Sequence, residues 1–222
     1  MINLTQEQRA NITAIVIALN NKNLTNKFLQ AGIVSVCYKE SGLIPHSEQN
    51  YSNTPNNIIR RTFLVTRAMN DLDLNTLKKD PIKFFNLVYN TNPWLGNIPN
   101  SNDGYNFRGK GLNQITGRAN VKAMGDKIGI DLVNNPDLLN TIDVATKALA
   151  QFFFDSLISG QSQGLFKARY LIARTSEIPT LHTGATIAHQ ANMGWKYSPS
   201  QDVTGGYKVT LANAPFFYDI IK

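Results

Sequence analysis

At 222 residues and 42% hydrophobic content, the chain can bury a core as one domain or as two closely packed lobes. Its formal net charge of +7 and pI near 9.5 point to polyanions as partners: nucleic acid, anionic lipid or an acidic cell-wall polymer. The composition excludes collagen-like, disordered and coiled-coil classes, and the lone Cys37 excludes an internal disulfide or a cysteine zinc site.

The first segment, Met1-Ile2-Asn3-Leu4-Thr5-Gln6-Glu7, lacks a basic region followed by a long apolar one, so no signal peptide is expected. Thr5-Gln6-Glu7-Gln8 fits a capping box, and Ile12, Ile15, Val16 and Leu19 follow at helical spacing. That apolar run, 12–19, is broken by Thr13 and is far too short to span a bilayer. After the polar break 20–23, the residues Phe28, Leu29, Ile33, Val36 and Cys37 predict a second helix, which delivers Glu40 and stops at Gly42. Glu48 follows across a turn punctuated by Gly42 and Pro45. A glutamate at a helix end and another in a loop have different surroundings, the condition for separate acid and base roles.

Thr54-Pro55 and Asp80-Pro81 are cap-and-first-turn signals. The first opens a helix carrying Ile58, Ile59 and Phe63 and reaching to Met69. The second opens one carrying Phe84, Phe85, Leu87 and Val88. Residues 90–114 change character: Asn92-Pro93, Pro99-Asn100, Asn102-Asp103-Gly104 and the glycines 109 and 111 around Lys110 predict a long functional loop. Helical periodicity returns from Thr116 through Ala119, Ala123, Met124 and Ile128. A strongly apolar helix over 141–158 is expected to be the central buried one. Further helices are predicted near 164–174 and 180–193, and the tail 195–222 is unassigned. No sustained alternation predicts strands.

Arg60-Arg61 and Lys78-Lys79 scatter the positive charge instead of arraying it, and no nucleic-acid-binding signature accompanies them, so no nucleic-acid partner is expected. Simple solubility is the alternative reading of the charge. His46, His182 and His189 lack metal-ligand spacing and read as structural or surface residues, so no metal is expected. Composition and periodicity lead to a mostly α protein with a polar, glycine-rich loop and a helix-end glutamate.

Four segments taken in order resemble the family 19 glycoside hydrolases, and within them the phage-type lysozyme-like endolysins, whose catalytic domain is akin to that of the class I chitinases. They are Lys39-Glu40-Ser41-Gly42 with Ser47-Glu48 and Asn50-Tyr51-Ser52; Phe85-x-Leu87-Val88-Tyr89 with Gly96-Asn97; Asp103-Gly104-Tyr105-x-Phe107-Arg108-Gly109-Lys110-Gly111-Leu112-x-Gln114-Ile115-Thr116-Gly117-Arg118-Ala119-Asn120; and Gly129-x-Asp131-Leu132-Val133-x-Asn135-Pro136. The resemblance is strongest over 33–155. It implies a mainly α, lysozyme-like two-lobed helical fold with a cleft and little or no β-sheet, forming a single catalytic domain over 1–222. It also implies inverting hydrolysis of β-1,4 bonds between N-acetylated sugars, with no cofactor, by a monomer. The motif makes Glu40 the general acid, its protonated form favoured by apolar walls, and Glu48 the base, a role that falls on a nearby Asp in some similar proteins. Thr116 falls where a hydroxyl holds the attacking water, although it could equally cap the following helix. Gln114 and Asn120 match amides that bind sugar or orient the site. Tyr51, Tyr89, Tyr105 and Arg108 are cleft-lining candidates, with core packing an equal alternative for Tyr89 and Tyr105. Asn192 matches a later Asn-Gly-Gly segment only as Asn192-Met193-Gly194.

The implied partner is the glycan strand of peptidoglycan. The implied location is the host cytoplasm before release to the wall, or a virion. A chitinase, a lytic transglycosylase and a non-catalytic wall-binding or virion protein are the competing readings.

Overall fold

The computed structural model describes residues 2–162, 178–193 and 205–222. In chain order its helices are α1 (Gln6–Asn21), α2 (Lys27–Ser41), α3 (Asn56–Thr62), α4 (Asp71–Lys78), α5 (Pro81–Asn90), α6 (Asp103–Asn106), α7 (Arg118–Ile128), α8 (Ile142–Ser162), α9 (Leu181–Asn192) and α10 (Gly206–Ile221). Among the described residues, strands are limited to β1 (His46–Ser47) and β2 (Lys110–Gly111), paired antiparallel. The fold is mainly α, as the sequence predicts. The chain divides into two compact units: Met1–Pro45 with Thr141–Lys222, and His46–Asn140.

In the first unit, α1 opens on the expected capping box: Gln8 N–H donates to Thr5 Oγ1 at 3.1 Å, and Thr5 N–H donates to Gln8 Oε1 at 2.9 Å. Asn26 caps α2 through Leu29 N–H, and Gly42 ends it in the left-handed conformation (φ 61°), which a residue with no Cβ adopts without strain. The expectation that the helix over 141–158 is the central one needs correction. Residues 29–37 of α2 are buried without a break, whereas α8 leaves Ile158 at 45% exposure. Buried polar donors inside α2 find carbonyl and amide oxygens outside the helix. Ser35 Oγ donates to Thr210 O at 2.8 Å, and Gln30 Nε2 donates to Leu24 O at 2.8 Å and Asn20 Oδ1 at 2.7 Å.

Helix α2 packs against α9 and α10, α1 packs against α8, and α9 also meets α8 and α10. At the α2–α9 crossing the backbones touch: a Cβ on Gly32 would lie 2.7 Å from Ala185 Cα, and one on Gly184 would strike the Phe28 carbonyl. Helix α9 fulfils the expectation over 180–193, and the unassigned tail proves to contain α10. The helix expected over 164–174 lies outside the described residues.

In the second unit, Asp80 caps α5 as predicted, accepting Lys83 N–H at 3.0 Å, with Pro81 in the first turn. Its apolar face, Phe84, Phe85 and Val88, joins Ile59 and Leu74 in a core ringed by Tyr51, Phe63, Tyr89 and Tyr105. Helix α3 does not reach Met69. It ends where Phe63 turns extended (φ −116°, ψ 100°), and a 3-10 turn, Leu64–Thr66, follows. Helix α4 went unpredicted. It is capped by Asn70 and buries Leu74 and Lys78 while Leu72 stays 77% exposed, so little apolar periodicity marks it. Lys78 is no surface cation, since its ammonium donates to Thr54 O at 2.6 Å.

The predicted loop over 90–114 is built, not slack. It holds a 3-10 turn (Pro93–Leu95), α6 and β2, with Gly104 seated directly on the Phe85 carbonyl. Asp103, 6% exposed, anchors it by pairing with Arg118 NH1 at 3.2 Å and accepting Ile98 N–H at 2.9 Å.

The backbone contact at the α2–α9 crossing makes a direct prediction. Gly32→Ala should lower stability by about 1–3 kcal/mol, the usual cost of overpacking, despite alanine's better helix propensity. Urea denaturation measures it, and an unchanged midpoint would mean that the crossing opens without cost.

Candidate active site

The ribbon of β1 and β2 is the frame of the site in the second unit. It pairs His46 with Gly111 and Ser47 with Lys110, and Lys110 bridges to Ile115 as well. Glu48 leaves the ribbon with its own N–H donating to Gly109 O at 2.7 Å. Gly109 N–H returns the contact, donating to Glu48 Oε2 at 3.2 Å. A Cβ at Gly109 would lie 2.7 Å from Gln114 Oε1 and 3.4 Å from Glu48 Oε2, so glycine is what lets the backbone come this close.

Two phenols complete the cradle. Tyr51 OH donates to Glu48 Oε1 at 2.7 Å, and Tyr89 OH lies 2.9 and 2.8 Å from Oε1 and Oε2. Both rings pack against the aromatic core, which is the packing alternative for Tyr89, with its hydroxyl at Glu48. Burial pushes both phenols above the ordinary tyrosine value. Glu48 adds to this as hydrogen-bond acceptor and as negative charge. Three donors thus converge on one carboxylate.

Beside it lies an open groove of about 290 Å³, lined by His46, Ser47, Glu48, Gln49, Asn50, Pro81, Phe85, Tyr105 and Arg108. Tyr105 and Arg108 therefore line a groove, whereas Tyr51 and Tyr89 support Glu48 from the core. The Arg108 guanidinium stacks on Tyr105 at 4.1 Å from the ring centre. It also donates to Tyr105 O at 2.7 Å and to Glu48 O at 3.2 Å.

The remaining expected residues of this unit bind its own backbone. Gln114, at φ 52°, gives both Nε2 protons to carbonyls, of His46 at 3.0 Å and Gly111 at 2.9 Å, so its side chain braces the ribbon. Thr116 Oγ1 donates to Gln114 O at 3.1 Å. It does not cap α7, whose N-cap is Gly117 with no side-chain bond, and that alternative falls away. Asn120 is exposed and donates to Thr116 O at 2.8 Å.

Glu40 belongs to the first unit, in the last turn of α2. The apolar surroundings expected for it are not what this unit supplies. Lys39 Nζ lies 2.7 Å from Glu40 Oε1, and Asn192 Nδ2, at the end of α9, approaches the same oxygen at 3.4 Å. One turn earlier, Cys37 is buried, and burial followed by the Glu40 charge pushes its thiol far up, which leaves it unreactive.

Sequence reasoning missed a second cluster, around Lys110. This side chain is 2% exposed and donates to Ser47 Oγ at 3.0 Å and to Asp137 at 2.5 Å. Asn140 donates to Ser47 Oγ at 2.8 Å and accepts Gly111 N–H at 3.2 Å. Its one sequence signal was a lysine held between two glycines. Among the described residues there is no cluster of histidine, cysteine and carboxylate side chains that could hold a metal ion, and no helix is long and apolar enough to cross a membrane.

A comparison with known proteins places one segment. A stretch of 48 residues, 22% of this chain, is 42% identical to Chitinase 8 of Oryza sativa subsp. japonica. It covers 18% of that protein's length. No family model matches the chain.

The phenol pair predicts a pH dependence. The fold holds Tyr51 and Tyr89 in their neutral form with raised pKa values. Their contribution to stability is complete below the unfolded tyrosine value of about 10 and is lost as pH rises above it. Replacing both with Phe should lower stability at neutral pH and flatten its decline above pH of about 10. Urea midpoints across alkaline pH test this, and parallel declines in the two proteins would contradict it.

Proposed function

We propose that the chain is a glycoside hydrolase cutting β-1,4 bonds in a polymer of N-acetylated amino sugars, with inversion at the anomeric carbon. The observation that carries this reading is Glu48, a carboxylate fixed by three donors at the edge of a groove lined by Tyr105 and Arg108. Similarity of one segment to a chitinase supports the same class of chemistry.

In this mechanism Glu40, protonated, gives its proton to the glycosidic oxygen as the bond to the anomeric carbon breaks. Glu48, ionised, takes a proton from the water that attacks the opposite face, so the new C–O bond forms with inverted configuration. The chemistry requires the two carboxyl groups to stand about 6.5–9.5 Å apart across the bond. Thr116 is proposed to hold the attacking water through its hydroxyl oxygen, since its proton is already given to Gln114 O. Lys39 beside Glu40 adds a requirement: the acid must be protonated in the working state, so substrate has to displace the ammonium or accept its charge.

As substrate we propose peptidoglycan, cut between its alternating amino sugars, with the enzyme acting as an endolysin. The net charge of +7 favours an anionic wall polymer over a neutral one. Chitin is the second reading, favoured by the named relative.

Glu40→Gln and Glu48→Gln should each lose on the order of 10²–10⁴ in rate while remaining folded. Combining them should cost less than the sum of the two losses in log rate, because both act on one bond. The assay is product release from purified wall and from chitin oligosaccharides, with NMR of the first-formed anomer and mass analysis of reduced products. Near-normal turnover by either variant would remove that residue from the mechanism. A retained anomer or an anhydro product would replace inverting hydrolysis with another reaction.

A further inference from the structure

An ammonium group does not enter a protein interior cheaply, and an apolar side chain at the same place is often as stable or more so. Lys110 is nonetheless 2% exposed at its side chain, while its partner Asp137 stays 82% exposed. Burial, helped by the charge of Arg108, pulls the ammonium below the ordinary lysine value, and Asp137 acts against that pull. Stability alone gives no reason for the charge.

Its place gives one. A two-residue ribbon cannot hold itself, because isolated pairs of strands are marginal in water. The β1–β2 pairing depends on fastenings from side chains, and Lys110 is the charged one that joins both strands to a third segment. From β2 its ammonium reaches Ser47 on β1 and Asp137 on the 3-10 turn Pro136–Asn140. Asn140, at the end of that turn, fastens the same Ser47 hydroxyl and the Gly111 amide. The residues next to the fastened pair are Glu48 on one strand and Gly109 on the other. They hold each other through two bonds, one of them to the carboxylate itself.

We propose that Lys110 is a positioning residue for Glu48, its buried ammonium fixing the β1–β2 ribbon against the 136–140 turn and thereby setting where the Glu48 carboxylate stands. The proposal rests on the reading of Glu48 as the base. It does not require Lys110 to touch substrate.

Lys110→Met is the test, because it keeps length and apolar stem and strands no buried charge: Asp137 is exposed and Ser47 keeps the Asn140 amide. The variant should fold, with kcat lowered by up to about 10²-fold, the scale of a misplaced catalytic group, and KM little changed. Placed in a Glu48→Gln background, it should produce no further loss in kcat. The NMR signals of the Tyr51 and Tyr89 Cζ atoms, which sense their hydrogen bonds to Glu48, should move in Lys110→Met. That readout is independent of any activity. Ser47→Ala, which unfastens β1 alone, should shift the same signals by less and serves if Lys110→Met does not fold. Unchanged tyrosine signals would overturn the proposal, as would equal losses of kcat in both backgrounds. If Glu48→Gln proves fully active, the base assignment fails, and the tyrosine signals alone then decide whether Lys110 positions that carboxylate.

Discussion

A carboxylate among aromatic rings has to be held by donors, and in the second unit the aromatic core supplies them. Tyr51 packs on Phe84 and Phe85, at 5.3 and 6.0 Å between ring centres, and Tyr89 stacks on Phe85 at 5.8 Å and 12°. Each such pair contributes about 0.5–1.5 kcal/mol beyond burial and, more to the point here, fixes a ring's orientation. The hydroxyls at the ends of those rings are aimed by the core at Glu48. Apolar packing thus sets polar geometry: disturbing Phe84 or Phe85 would move the donors before it moved the carboxylate.

What could be read from the sequence follows from how local each signal is. The caps at Thr5 and Asp80 and the stop at Gly42 depend on neighbours within one turn, and they were legible. So was α5, whose apolar face has a clean helical period. Helix α2 was recognised, but the unbroken burial of 29–37 was not, because Gln30 and Ser35 look like a solvent face. The Ser35 partner, the Thr210 carbonyl, is distant in the chain, and the Gln30 partners lie before the helix begins. Glu48 and Arg108 came from the motif, and Tyr51 and Tyr89 did too, yet no spacing rule says where a phenol hydroxyl points. Lys110 between two glycines read as a loop cation. Only the pairing of β1 with β2 shows that it is enclosed.

The stretch 90–114 shows why a composition rich in turn formers need not mean slack chain. Asparagines in it and beside it act as substitutes for secondary structure: Asn97 accepts Arg118 N–H at 2.8 Å, Asn86 of α5 accepts Tyr105 N–H at 2.9 Å, and Asn90 donates to Ser101 O at 2.9 Å. Short amide side chains bond well to nearby backbone, so the residues that mark a turn also tie it down.

That scaffolding bears on which acid of the second unit is free to do chemistry. Asp103 lies in the motif and is also a carboxylate of this unit. Its two oxygens are taken up by the Arg118 guanidinium and the Ile98 amide, and the residue is 6% exposed. Removing a proton from water would mean giving up the contacts that order the 90–114 stretch. Glu48 is held as firmly, but by donors that approach from the core and from Gly109, and it is the carboxylate that borders the groove. A group held from behind and open in front can act as a base without disturbing the fold around it, and in this unit that description fits Glu48 and not Asp103.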